Sequence, residues 1–374
     1  MRLETNAIHA GMDHARQSRS VVPAIEPSTV FEIDAAGRQQ GDLHYTRLAN
    51  PNRLQLEHLL AKLEEGEACA AFSSGVAAAT AVFQSLEPGD HMLIPDDVYA
   101  GNRKLVTRLM ERWGLKARFI RMNNPDAVKE AIMPETRLIW IETPSNPMMR
   151  ITDIEAVCEL ARSNDILTCV DNTWPTPVNQ LPLRLGADLV LHSTTKYLGG
   201  HSDILGGAVI ARENGSFFGR IREVQRLTGG VPSPSDSWLL RRSICTLPYR
   251  MRGHNDNAGR AARFLQDHPL VESVLYPGLE NLPGHKTALN QMSGFGGMIS
   301  FLINGGKKEA IAIVGRSKLI KRATSLGGVE STWEHRRSSE GESSKTPQNL
   351  IRISVGLEHP DDLMDDLRQA LGDE

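Results

Sequence analysis

Between roughly Leu54 and Ile210 the chain alternates helix-patterned and strand-patterned stretches, and this alternation restricts the fold more than any other feature. Repeated strand–helix–strand units close only as an α/β domain built on a largely parallel sheet. The helix pattern LEHLLAKLEE leads to the short run CAAFSS and an Ala-rich helix from Val76 to about Leu86. Strand HMLIP, helix NRKLVTRLMERWG and strand ARFIRM follow, then strand RLIWIE, helix DIEAVCELARSN, strand ILTCVD and strand ADLVLHS. Several of these units end in polar or Gly-rich turns, SSG, ETPSNP, DNTW and HSTTK. In open α/β sheets ligands bind at the carboxyl ends of the strands, so the four turns are expected to meet at one site.

The pattern changes after Gly207. A helical stretch around FFGRIREVQRL gives way to the loop GGVPSPSDS and then to a long helical region running through Phe264. Beyond it GMISFLI, KKEAIAIVGR, LIRISVG and DDLMDDLRQAL alternate again, as in a smaller α+β domain. With 374 residues the chain is long enough for two cores. Residues 1–47 read as an N-terminal arm, 48–250 as a large domain and 251–374 as a C-terminal domain, with the boundary near Arg250. A formal charge of -3, with both signs interspersed, gives no electrostatic footprint for nucleic acid or an anionic membrane. Cys69, Cys158, Cys169 and Cys245 lie far apart, so reduced, buried thiols are expected rather than a zinc site or disulfides. The N-terminus lacks the apolar core of a secretory signal and the basic, Ser-rich character of a transit peptide, and the expected location is cytoplasmic.

Three segments carry chemistry. Lys196, in LVLHSTTKYLGGHSD, follows an apolar strand and precedes a tight Gly turn. A lysine so placed is desolvated, which lowers its pKa and leaves a usable amine nucleophile, although a structural lysine fits the pattern equally well. Asp171 ends the buried strand ILTCVD, where a carboxylate costs several kcal/mol unless it finds a cationic or hydrogen-bonding partner. A protonated pyridine nitrogen would serve; taken alone, a turn cap is the plainer reading. SSGVAAATA starts a helix whose first amides and dipole face an anion that Gly75 lets approach, and Ser193 and Thr195 add hydroxyls beside Lys196. The segment lacks both the dinucleotide and the nucleoside-triphosphate fingerprints, and small residues also serve simply to pack helices on sheets.

The order of these pieces is more specific than any one of them. A Gly-led helix start, the aromatic turn DDVYAG, Asp171 and then Ser-x-Thr-Lys resembles the fold-type I pyridoxal-phosphate enzymes. More narrowly, YTRLANPN, FSSGVAAA, GDHMLIPDDVYAG, ETPSNP, VDNTWPTP, ADLVLHSTTKYLGGHSD, SLGGVES and RISVGLE resemble, in order and over essentially the whole chain, the Cys/Met metabolism family of cystathionine γ-synthases, cystathionine lyases and methionine γ-lyases. That resemblance implies pyridoxal 5'-phosphate held as a Schiff base by Lys196, which also shuttles protons. It implies Asp171 on the pyridinium nitrogen and Tyr99 stacked on the ring and assisting proton transfer. Gly75, Val76, Ser193 and Thr195 would cradle the phosphate, and Tyr45 and Arg47 would reach the phosphate of a neighbouring subunit, so that dimers share their sites and pair into tetramers. Arg352 would grip the substrate α-carboxylate, with Asn146 and Ser325 lining the same site.

The chain departs from the family in places. Thr324 stands where a Glu often meets the distal ammonium of cystathionine, and Asn102 replaces the cysteine of the methionine γ-lyase turn. Val76 replaces a common Met. The stretch after SLGGVES is short and reads TWEHRRSSEGESSKTPQN. There His335 is expected on the surface and Arg336 and Arg337 as solvated charges, the other reading being a positive edge suited to an O-succinyl or O-phospho leaving group. No metal-binding spacing occurs, and no catalytic metal is expected. The leading expectation is γ-replacement on an O-activated homoserine by a thiol. Elimination from cystathionine, methionine or canavanine is the alternative, and a non-catalytic cofactor-binding regulator a third possibility that the intact Lys196, Asp171, Tyr99 and Arg352 oppose.

Overall fold

The computed structural model describes residues 1–12, 20–38, 43–342 and 344–372. Its larger sheet has seven strands: β1 (Ala68–Phe72), β2 (His91–Pro95), β3 (Lys116–Ile120), β4 (Thr136–Glu142), β5 (Leu167–Asp171), β6 (Leu189–His192) and β7 (Gly207–Ala211). They lie in the order β1-β7-β6-β5-β4-β2-β3, and β7 alone runs antiparallel to its neighbours. The near-continuous apolar runs read from the sequence have a direct cause. Leu93, Ile139, Ile141, Val170 and Val190 enter one core, whereas Met92, Ile94, Leu138, Trp140, Cys169 and Leu191, alternating with them, enter a second on the opposite face. Side chains alternate across a strand, so a sheet covered on both faces must be apolar at every position.

The helices that cover the sheet start on the caps the sequence supplies. Asn50 accepts from the Asn52 amide ahead of helix Pro51–Glu64, Ser74 from Ala77 ahead of Gly75–Gln84, and Asp153 from Ala156 ahead of Ile154–Arg162. The NRKLVTRLMERWG helix is shorter than its pattern, running Ala100–Arg108 before a 3-10 turn at Met110–Trp113. In the arm, helix Leu3–His9 forms where no periodicity pointed to one, and it buries Ala7 completely.

The smaller sheet contains β8 (Val271–Leu275), β9 (Met298–Ile303), β10 (Lys321–Arg322), β11 (Thr332–His335) and β12 (Leu350–Ser354), in the order β10-β11-β12-β9-β8. Helix Leu247–Gln266 passes without a break through Arg250, the expected boundary. Along it, Arg250 donates to the Tyr197 and Leu198 carbonyls beside the larger sheet. One turn later His254 Nδ1 pairs with the Val355 carbonyl, and Asn257 donates to Gly356 and Glu358, just past β12. Among the described residues no helix is long and apolar enough to cross a membrane.

Candidate active site

A cavity of about 440 Å³ opens at the carboxyl ends of β4, β5 and β6 and at the start of helix Gly75–Gln84, where the four polar turns were expected to meet. Lys196, Asp171, Tyr99, Gly75, Val76, Ser193, Thr195, Asn146, Ser325 and Arg352 all line it. Residues from the smaller domain are pressed close to the lysine loop. Gly327, at φ +80°, lies so near that a Cβ there would come within 2.7 Å of the Tyr197 amide nitrogen. Gly75 is needed for a similar reason, since its Cβ would meet that of Ser193 at 2.8 Å.

Lys196 Nζ donates to Ser325 Oγ at 2.6 Å. Burial, reinforced by the positive charges of Arg352 and Arg336, pulls its ammonium down from the ordinary 10.5 to about 8. Arg352 is buried on β12, opposite Glu334 on β11. Its guanidinium donates to Asn146 Oδ1 at 2.9 Å, the Ser325 carbonyl at 3.2 Å and Glu334 Oε1 at 2.5 Å. Amine and guanidinium thus converge on Ser325, which holds a positive φ of 79° rarely adopted by a non-Gly residue.

Facing them are two carboxyls. Glu142 and Asp171 are register partners at the ends of β4 and β5. Burial raises both above the usual carboxylate range, and for Glu142 the neighbouring Asp171 raises it further. Glu142 accepts from the Tyr99 amide at 3.0 Å. Asp171 Oδ1 takes both donors of Thr173, the hydroxyl at 2.5 Å and the amide at 3.1 Å, while the Thr173 hydroxyl oxygen accepts from the Ser193 amide at 2.9 Å. One threonine therefore ties the Asp171 strand to the lysine loop. Glu142 and Thr173 were missed from the sequence, although RLIWIE ends an apolar run in a carboxylate just as ILTCVD does.

Some expected contacts take another form. Thr195 lines the cavity, but its hydroxyl donates to the Gly206 carbonyl and accepts from the Gly206 amide, spending its proton on the loop. Tyr45 and Arg47, expected at a neighbouring subunit's phosphate, do not line their own cavity, as that expectation requires. The Arg47 guanidinium lies 5.7 Å from the Tyr45 ring centre and donates to the Arg226 carbonyl. Arg336 is not a solvated charge. It is 7% exposed, lines the cavity, and pairs with Glu334 at 3.0 Å and Glu340 at 2.9 Å. Nor is His335 on the surface: it is buried, with its ring nitrogens on Ser338 Oγ and the Gln348 carbonyl. Carboxylates and hydroxyls supplied by β11 and the short helix Arg336–Glu340 after it offset the desolvation that made exposure the natural expectation.

These groups fit pyridoxal phosphate. Of the first amides of helix Gly75–Gln84, that of Ala77 is taken by Ser74 Oγ and that of Ala78 by the Ser74 carbonyl, leaving those of Gly75 and Val76 at the cavity for an anion. A depressed lysine amine suits an aldehyde, and a desolvated Asp171 suits a protonated ring nitrogen. Fold and site together define a pyridoxal-phosphate-dependent enzyme of fold-type I. The sequence matches the Cys/Met metabolism PLP-dependent enzymes over residues 4–372, and the chain belongs to that family. It is 45% identical to the cystathionine gamma-synthase of Mycobacterium tuberculosis (strain ATCC 25618 / H37Rv), the match covering 98% of this chain and 96% of that protein. It is 43% identical to the cystathionine gamma-lyase of Bacillus subtilis (strain 168), over 99% of each. The crystal structure of metB from Corynebacterium glutamicum superposes with a TM-score of 0.96 at 42% identity, covering 99% of this chain and 98% of that one. The protein is therefore a trans-sulfuration-type enzyme that uses pyridoxal 5'-phosphate, and the expectation drawn from its motifs holds.

A lysine amine so depressed captures an aldehyde in a pH-dependent way. Only the free amine attacks an aldehyde, and Lys196 sheds its proton as pH rises through about 8 rather than near 10.5. The rate at which cofactor-free protein regains its visible absorbance on mixing with pyridoxal phosphate is expected to climb between about pH 7 and 9 and then level off. A rate still rising steeply near pH 10 would show an ordinary lysine.

Proposed function

We propose that the enzyme catalyses γ-replacement, exchanging the γ-substituent of an O-activated homoserine for a thiol. The observation that carries the reading of the substrate as an α-amino acid is the convergence of Lys196 Nζ and the Arg352 guanidinium on Ser325. A planar guanidinium fork suits the α-carboxylate, which places the α-carbon beside the amine. When bound, pyridoxal phosphate supplies the electron sink that makes protons on the α- and β-carbons removable. Asp171 would keep the ring nitrogen protonated, the Gly75 and Val76 amides with Ser193 would hold the phosphate, and Tyr99 would cover the ring. Lys196 Nζ takes the Cα proton and returns protons later, and Tyr99 moves the proton of the departing or entering group. Asn146 and Glu334 hold Arg352 in place.

Similarity to synthases supports replacement. Elimination is the second reading, favoured by the similarity to the Bacillus lyase and by Thr324, which leaves the cavity wall without a carboxylate at that position for a distal ammonium. The deciding measurement is a product assay on holoenzyme with O-succinyl-, O-acetyl- and O-phosphohomoserine, cystathionine, methionine and canavanine, each with and without cysteine. Thioether that forms only with cysteine is the expected result. Release of 2-oxo acid and ammonia, or of homoserine from canavanine, regardless of thiol would make the protein a lyase.

The same reading makes the working unit a dimer, pairing into a tetramer, in the cytoplasm, with Tyr45 and Arg47 completing the neighbour's phosphate site. It is supported by their position away from their own cavity and by Val21, Val22, Val30 and Ile33, which stand exposed along the arm. Residues 1–47, 48–250 and 251–374 are the proposed arm, large domain and C-terminal domain.

A further inference from the structure

The Arg336 guanidinium is held from two sides and open on a third. Its Nε donates to Glu340 Oε1 and its Nη1 to Glu334 Oε1, which fixes the plane of the fork, while Nη2 has no acceptor among the described residues. Glu340 cannot swing to supply one, because its Oε2 already accepts from the Ser344 and Thr346 hydroxyls at 2.5 and 2.6 Å. Glu334 Oε1 is shared with Arg352. Two guanidiniums and two carboxylates leave this cluster neutral, so what it presents is a rigidly held pair of N–H donors on a cavity-lining residue. Such donors are worth most when an oxyanion accepts them, because leaving them unmet on binding is what a site rejects. Thr324 and Ser339 line the same cavity and add hydroxyls, while Glu340, which also lines it, is engaged by Arg336, Ser344 and Thr346.

From this geometry we propose that Arg336 is a specificity-determining residue that binds an oxyanion at the far end of the substrate's γ-substituent, as in a succinyl or phosphoryl ester. The proposal rests on reading the cavity as the substrate site and names the class of activated amino acid it takes. Arg352, bracketed by Asn146 and Ser325 next to Lys196, keeps the α-carboxylate; Arg336 lies across the shared Glu334 from it.

The test uses holoenzyme without thiol and reads the concentration of O-succinyl-, O-phospho- or O-acetylhomoserine that gives half of the change in the bound cofactor's visible absorbance. That readout needs no replacement chemistry, so a lyase outcome in the product assay leaves it intact. The wild type is expected to prefer at least one anionic ester over the acetyl ester, and Arg336→Met to cut that preference about tenfold or more. Loss for the succinyl or for the phospho ester identifies the oxyanion. A wild type without such a preference, or a variant in which all three esters weaken together, as loss of an α-carboxylate contact would produce, overturns the proposal. If Arg336→Met is recovered unfolded, Arg336→Lys keeps the charge without the fork and is expected to lower the same preference; an unchanged preference there overturns it equally.

Discussion

Replacing Lys196 by alanine is expected to lower turnover by about 10⁴-fold or more, since on the proposed mechanism the variant loses its nucleophile and its general base in one atom. The visible absorbance of the reconstituted protein should shift at the same time, because the covalent link to the cofactor is gone. Stability should change little: the half-buried amine makes one hydrogen bond, to Ser325 Oγ, and its ammonium is disfavoured where it stands. Spectra, steady-state rates and a thermal midpoint on the same preparation check all three. A variant that keeps both the wild-type spectrum and measurable turnover would remove Lys196 from its role.

Asp171→Asn separates charge from shape. Asparagine retains an oxygen for the two Thr173 donors but cannot hold a proton on a ring nitrogen as an anion does. Removing one partner of a buried charge pair costs about 2 to 5 kcal/mol, so a fall in kcat on the order of a hundred- to a thousandfold is expected. The cofactor-free protein should respond in the opposite direction. Asp171 is raised by burial, and its folded-state pKa therefore lies above its unfolded one. A carboxyl raised in this way destabilises the fold above the ordinary carboxylate range, and the penalty fades as pH falls through its raised pKa. Asparagine removes the penalty, so the thermal midpoint of the apoprotein should hold or rise near neutral pH while activity collapses. A parallel loss of both would make Asp171 a structural cap, the plainer reading its sequence position allowed.

The sequence made the parallel part of the larger sheet legible because HMLIP, RLIWIE and ILTCVD are buried on both faces, and burial on both faces is written as unbroken apolar character. Strand direction is not written that way: GAVIA, which forms the antiparallel β7, looks no different from its parallel neighbours. The smaller sheet was harder still. TWEH carries Glu334 and His335 and reads as loop, yet it is a buried strand because its polar groups meet partners distant in sequence: Arg352 for the glutamate and the Gln348 carbonyl for the histidine. The same long-range pairing put Arg336 inside when its composition pointed outside. Residues announced by one local motif, such as Lys196 and Gly75, are legible and do line the cavity; those tied in by a cross-strand or cross-domain partner, such as Glu142 and Glu334, are not.

Helix Leu247–Gln266 works as a ruler. Arg250 grips the lysine loop through the Tyr197 carbonyl, and His254 grips the end of the Arg352 strand through the Val355 carbonyl. The two grips are four helical steps apart, a rise of about 6 Å that an intact helix cannot stretch. The spacing between the lysine loop and the Arg352 strand is therefore set by helical pitch, and relative motion of the two sheets cannot vary it without bending this rod. One residue inserted between Arg250 and His254 would turn the second grip by about 100° and uncouple the two halves of the site, although every residue lining the cavity remained in place.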